Sequence, residues 1–277
     1  MKTLQETLAS LNNDGGKRQT LVKHLSAVGI REWSDITRGK LFELKDHLVD
    51  ADLASGSQKT VLANLKSILN RVRDDIDIPK DYAKILTVKT FQTEKTFLSE
   101  EDLRKLEAYT PRTQKQEYVK NTFLICAYTG LRVSDAEKLV ASNVVGCNLH
   151  YVAKKTKKAN SIPLKSGLEE RIKWMNDHPE FACTRTYYNR IIKKICREAG
   201  IDEEVMVFKA DEEKHGPKWK FISSHSARVS TATDLFRRGV QIGDIQTLLQ
   251  HSSMLITEKY IVKDRVQLSD EALKFFE

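Results

Sequence analysis

Apolar positions recur at helical spacing between residues 17 and 86, interrupted at Gly29 and at Ser55-Gly56-Ser57. The clearest period runs from Gln58 to Val72. There Val61, Leu65, Ile68, Leu69 and Val72 fall on one face, and Ser57 stands where an N-cap belongs. This spacing predicts a compact helical unit. From Thr87 to Thr96 the sequence TVKTFQTEKT has no helical stripe and follows a Pro79-containing stretch, which predicts an extended linker. The expected organisation is a helical domain over 1–90, a linker over 91–98 and a second domain over 99–277.

The second domain opens with Ser99 ahead of Glu100, Glu101 and Asp102, which is N-cap chemistry for a helix through Leu103 and Leu106. Val119, Phe123, Cys126 and Ala127 stripe the next helix, which stops at Gly130. Ser134 and Glu137, in capping-box spacing, predict another helix directly after Arg132. Between Val144 and Leu164 the period changes to alternation: Leu149, Tyr151 and Ala153, a lysine-rich turn, then Ser161-Ile162-Pro163-Leu164. A small antiparallel sheet with a basic turn is expected. A helix striped by Tyr188, Ile191, Ile192 and Ile195 ends at Gly200, and residues 203–221 read as polar and irregular. Ser224 is placed to cap a helix that stops at Gly239; helical segments then carry Ile245 and Leu249, and Thr257 to Tyr260. The fold class is mainly α with a small antiparallel β-sheet: a helical domain followed by an α+β domain.

Composition changes this picture little. With 277 residues, 40% hydrophobic and 30% charged, a disordered chain, a collagen and a membrane channel are excluded. Lys plus Arg number 46 against 38 for Asp plus Glu, and the net charge of +8 suits a polyanion partner as well as a solvated lysine surface. No apolar stretch of signal-peptide length opens the chain, and the longest apolar run, Thr122 to Tyr128, is too short to span a bilayer. A cytoplasmic protein is expected. Cys126, Cys147, Cys183 and Cys196 show no CxxC pair and no zinc-ligand spacing, so they read as core residues.

The chemistry lies in an ordered set of polar residues. Arg132 stands at a helix junction, Lys155 in the basic turn, and His225 and Arg228 three apart at a helix start, where the positive end of the helix dipole favours an anion. His251 follows another helix, and Tyr260 comes nine residues later. With AYTGLRVSDAEKL at 127–139, KKTKKANSIPL at 154–164, HSARVSTATDLFRRG at 225–239 and LLQHSSMLITEKY at 248–260, the chain resembles the tyrosine recombinases, the phage integrase family. The resemblance covers Ser99 to the C-terminus. It departs at Gln250, where the family usually has Gly, and at Val229, where His or Arg is frequent.

The resemblance implies a site-specific recombinase that integrates or excises a phage or mobile element through a covalent 3′-phosphotyrosine, with no metal, ATP or other cofactor. A Xer-type resolvase, and a regulator that binds DNA without cleaving it, are the alternatives. In the family's scheme Tyr260 is the nucleophile, Arg132 and Arg228 clamp the phosphate, and His225 and His251 serve as acid/base and hydrogen-bond donor. Lys155 would protonate the leaving 5′-oxygen, and Asp135 would orient Arg132. The helical unit would be the family's core-binding domain, with Lys59, Lys66, Arg71 and Arg73 facing phosphates; Lys157 and Lys158 beside the turn are further DNA-binding candidates. Alone, the four residues on the helix read first as a solvated face, and it is the resemblance that turns them towards phosphates. The implied partners are double-stranded DNA bearing recombination sites, a homotetramer on that DNA and accessory DNA-bending factors. Ser269 to Glu277, with Leu273, Phe275 and Phe276, would pack on a neighbouring subunit or on its own. No arm-binding domain fits ahead of residue 17.

Overall fold

The computed structural model describes residues 3–10, 15–91, 93–154 and 157–262. They form two compact units, one of the described residues up to 93 together with 208–213, the other of those from 94 to 207 together with 214–262. No helix among the described residues is long and apolar enough to cross a membrane.

The first unit holds α1 (Leu4–Ser10), α2 (Gly15–Ala27), α3 (Arg38–Asp50), α4 (Ser55–Val72) and the short α5 (Tyr82–Ile85). Leu21 and Leu25 of α2, Leu41, Leu44 and Leu48 of α3, and Val61, Leu65, Ile68 and Leu69 of α4 make its core. Two expectations are corrected. The helical unit begins ahead of residue 17, because Leu4 and Leu8 of α1 are buried in the same core. And α4 starts before Ser57: the Ser55 N–H and hydroxyl both donate to the Asp211 carboxylate, at 2.5 and 2.8 Å, so a distant acid satisfies the helix start. Residues 88–99 carry neither helix nor strand where described.

The second unit is built around α7 (Gln114–Thr129), which follows α6 (Glu100–Ala108). The Ser99 capping box forms as expected, the Ser99 hydroxyl accepting from the Asp102 N–H and the Asp102 carboxylate from the Ser99 N–H. The sequence shows one apolar stripe on α7, yet the helix is buried on nearly every side, and its polar groups find internal partners. Thr122 donates to Tyr118 O, and Lys120 to the carbonyls of Glu107 and Tyr109. Around α7 pack α9 (Leu168–Asp177), α10 (Arg185–Glu198) and α11 (Ser226–Arg237). α8 (Val133–Ala136) is one turn whose N-cap is Arg132 with no side-chain cap, so the Ser134–Glu137 capping box does not form. Likewise His225, not Ser224, is the N-cap of α11; the Ser224 N–H donates to Asn189 Oδ1. Two further helices follow, α12 (Ile242–Leu249) and α13 (Met254–Glu258).

The expected sheet is three-stranded and antiparallel, β1 (Val144–Val145), β2 (Asn148–Val152) and β3 (Ala159–Pro163), with Leu149 opposite Ile162 as its buried pair. The irregular reading of 203–221 is corrected: β4 (Glu204–Lys209) and β5 (Glu212–Pro217) form a hairpin. Its turn residues, Ala210 and Asp211, both have positive φ, 57° and 65°, the geometry that matches strand twist but is usually signalled by Asn or Gly. Cys126 and Cys196 are buried as expected, whereas Cys147 is exposed and Cys183 half-buried, because Cys147 falls at the β1–β2 turn.

Gly130 ends α7 with φ +70°, and a Cβ there would lie 2.6 Å from Leu249 Cδ2. Gly130→Ala therefore combines left-handed strain with a clash against a fully buried leucine, and is expected to lower stability by about 2–4 kcal/mol. Chemical denaturation measures this; an unchanged midpoint would refute it.

Candidate active site

Tyr260 lies directly after α13, half-buried, its N–H bonded to Thr257 O at 2.8 Å. Two imidazoles flank its ring, His225 with centroids 5.0 Å apart and His251 at 4.6 Å. The His225 Nε2 meets the Tyr260 hydroxyl in a hydrogen bond. Burial raises the phenol above its ordinary range, while Arg228 and Arg132 draw it down less strongly, so Tyr260 is protonated at neutral pH. Desolvation, then Lys95, Arg228 and Arg132, push His225 down to about 4, although one side of the residue is open to solvent. His225 is therefore neutral, and with its proton on Nδ1 its Nε2 accepts from the phenol.

Arg228, on the first turn of α11, is buried. Its Nη1 and Nη2 donate to the backbone carbonyls of Gly130 and Leu249, while Nε–H has no partner among the described residues. A guanidinium has five N–H donors, so two fix the group and the rest stay available to a phosphate. Its carbon sits 5.8 Å from the Tyr260 ring centroid. Arg132, at the junction of α7 and α8, is near enough to act on Arg228, both histidines and Tyr260. Asp135 approaches Arg132 Nη1 at 4.0 Å, and its other oxygen accepts the Lys154 N–H at 3.1 Å. One buried carboxylate thus ties the arginine junction to the start of the basic turn. Lys155 itself lies outside the described residues.

His251 Nδ1 pairs with Thr257 Oγ1 at 3.0 Å, and its Nε2 is buried without a partner among the described residues. Burial, then Arg228 and Arg132, push it down to about 3. The folded state binds this proton more weakly than the unfolded chain does, so the contribution to stability is complete above pH 6.5 and is lost as pH falls towards 3. We expect about 1 kcal/mol of loss between pH 7 and pH 5, after allowing for solvent screening. His251→Gln should flatten a melting-temperature profile over that interval; an identical slope in both proteins would refute it.

The structure thus brings Arg132, Asp135, His225, Arg228, His251 and Tyr260 together. Gln250 occupies a left-handed conformation, φ 50° and ψ 45°, which explains why glycine suits that position, and Val229 is buried in the core. Lys59 and Arg71 are exposed on α4 and Arg73 pairs with Asp74, but Lys66 donates to Ala83 O. Lys157 and Lys158 are exposed, and residues 269–277 lie outside the described residues. Two residues of the site are given no role by the sequence: Thr257, which sits within the 248–260 box and orients His251, and Lys95, which lies in no motif and whose ammonium is 3.5 Å from the Tyr260 ring centroid.

Residues 96–266 match the model of the phage integrase family. A putative integrase of Pseudomonas phage Pf1 is 29% identical over 178 residues, 64% of this chain and 48% of that protein. The chain thus spans about half the length of the curated relative it matches. Lambda integrase (75–356), as a dimer bound to a COC′ core site, superposes with a TM-score of 0.67 at 16% identity, covering 97% of this chain and 98% of that one. The Tn1549 transposon integrase in complex with a circular intermediate DNA gives 0.67 at 14% identity over 98% and 96%. XerH recombinase bound to a palindromic difH substrate gives 0.63 at 17% identity over 94% and 77%. At these identities the likeness establishes a shared fold.

Proposed function

The chain belongs to the phage integrase family, and on that premise we propose that it is a site-specific DNA recombinase acting through a 3′-phosphotyrosine at Tyr260. The observation that carries this is the Tyr260 hydroxyl bonded to a neutral His225 beside the partly unsatisfied guanidinium of Arg228. Tyr260 Oη attacks the scissile phosphorus, and its proton passes to His225 Nε2. The bond to the 5′-oxygen breaks as the new one forms. Arg132 and Arg228 hold the phosphoryl oxygens, whose charge grows in the transition state, and the unpartnered His251 Nε2 donates to one of them. Lys155 protonates the departing 5′-oxygen. The reverse attack by a 5′-hydroxyl rejoins a strand, so the bond energy is retained and neither ATP nor a metal enters.

Residues 99–277 act as the catalytic domain and 1–90 as the core-binding domain, joined by 91–98. Lys59, Arg71, Arg73, Lys157 and Lys158 contact phosphates; Lys66, tied to Ala83 O, contributes least. The element served is a phage or other mobile element, and a homotetramer, with accessory bending factors, assembles on two sites.

The test is covalent capture on a pool of nicked duplexes of randomised sequence, without metal or ATP. Adducts mapped to Tyr260 by peptide mass spectrometry are the expected result. DNA binding with no adduct would overturn the reading in favour of a non-cleaving regulator.

A further inference from the structure

Lys95 lies three residues before Leu98, a buried residue whose N–H donates to Ser230 Oγ of α11 at 2.8 Å. Phe97, between them, packs against Arg237. This short stretch is therefore moored to α11, the element that carries Arg228. The half-buried Lys95 ammonium lies 3.5 Å from the centroid of the Tyr260 ring, and no carboxylate pairs with it among the described residues. Around it stand His225 and Arg228 at the start of α11, His251 after α12, and Lys259 beside Tyr260. A half-buried cation among cations is costly unless something negative completes the cluster. The π-face of Tyr260 supplies a small part of that, and a phenolate would supply far more.

We propose that Lys95 is a positioning residue for the nucleophile, its ammonium holding the Tyr260 ring and stabilising the negative charge that the ring carries as the phosphodiester exchanges. The inference rests on the reading of Tyr260 as nucleophile. In an in-line displacement the attacking and leaving oxygens lie on opposite sides of phosphorus. A lysine over the tyrosine ring is thus on the attacking side and transfers no proton to the 5′-oxygen. Tyr260 Oη–P forms, P–O5′ breaks, and the phenolic proton still goes to His225. In the rejoining step the phenolate is the leaving group, so the same cation assists in both directions.

Burial, then Lys259 and Arg228, lower Lys95 to about 8, so its charge is lost as pH rises through that value. Over pH 7 to 9 Arg228 stays largely charged and the two imidazoles stay neutral. The experiment is single-turnover adduct formation on the captured nicked duplexes, comparing wild type, Lys95→Ala and Lys95→Arg with DNA affinity measured alongside. At pH 7 the alanine variant is expected to react roughly tenfold more slowly, and the arginine variant within about threefold of wild type. The wild-type advantage over alanine shrinks between pH 7 and 9, while the arginine variant gains on wild type. Equal rates for wild type and alanine, a pH-independent ratio, or a rate loss matched by lost DNA affinity would each overturn the proposal while leaving Tyr260 as nucleophile. If wild type forms no adduct at Tyr260, the nucleophile reading itself falls, and this inference with it.

Discussion

Replacing Tyr260 with phenylalanine is expected to remove covalent capture of DNA, a loss on the order of 10⁴-fold or more, while DNA affinity and melting temperature change little. The substitution deletes one oxygen. The ring keeps its packing between His225 and His251 and under Lys95, and the backbone keeps its bond to Thr257 O. The group lost is the hydroxyl joined to His225 Nε2. A parallel titration of DNA binding separates this from misfolding. An adduct that persists in the phenylalanine variant would place the nucleophile elsewhere.

Arg228→Ala is expected to act on both stability and chemistry. Removing the guanidinium strands the carbonyls of Gly130 and Leu249, which it satisfies inside the protein, and costs about 3 kcal/mol. It also removes the buried clamp beside Tyr260, a further loss of roughly 10³-fold in adduct formation among the molecules that remain folded. Arg228→Lys separates the two effects. A lysine keeps a charge but offers no planar fork, so much of the rate is still missing even where the fold is retained. Wild-type rates in the lysine variant, or an unchanged melting temperature in the alanine variant, would refute the double role.

Local rules succeed where the deciding groups lie within a few residues of each other. The Ser99–Asp102 capping box, the left-handed stop at Gly130 and the Leu149/Ile162 alternation are each complete within a turn or a strand pair. The candidate site is legible for a similar reason: each box carries its own polar residues on a short, recognisable element, and their order along the chain is itself the signal.

Where partners come from afar, the chain offers no local cue. The start of α4 is fixed by Asp211, 156 residues from Ser55, and an N-cap reading at Ser57 cannot anticipate an acid arriving from a hairpin. That hairpin is itself hidden, because its turn places Ala210 at a left-handed position where Asn or Gly would be the signal. Charge alone is equally blind to what Arg228 does, because its two backbone acceptors belong to different parts of the chain, one at the end of α7 and the other at the end of α12.

The division follows from the range of the forces. Where a cap, a turn or a side-chain period is settled by groups a few residues apart, a linear reading finds it. Lowered histidines, a raised phenol and a lysine seated on the Tyr260 ring come from burial and from charges that only folding brings within a few ångströms. Residue order specifies which chemical groups are present and on which elements they ride. Their protonation, their partners and the place of Lys95 among them are set by folding, because desolvation and Coulomb interaction depend on distance in space and not along the chain.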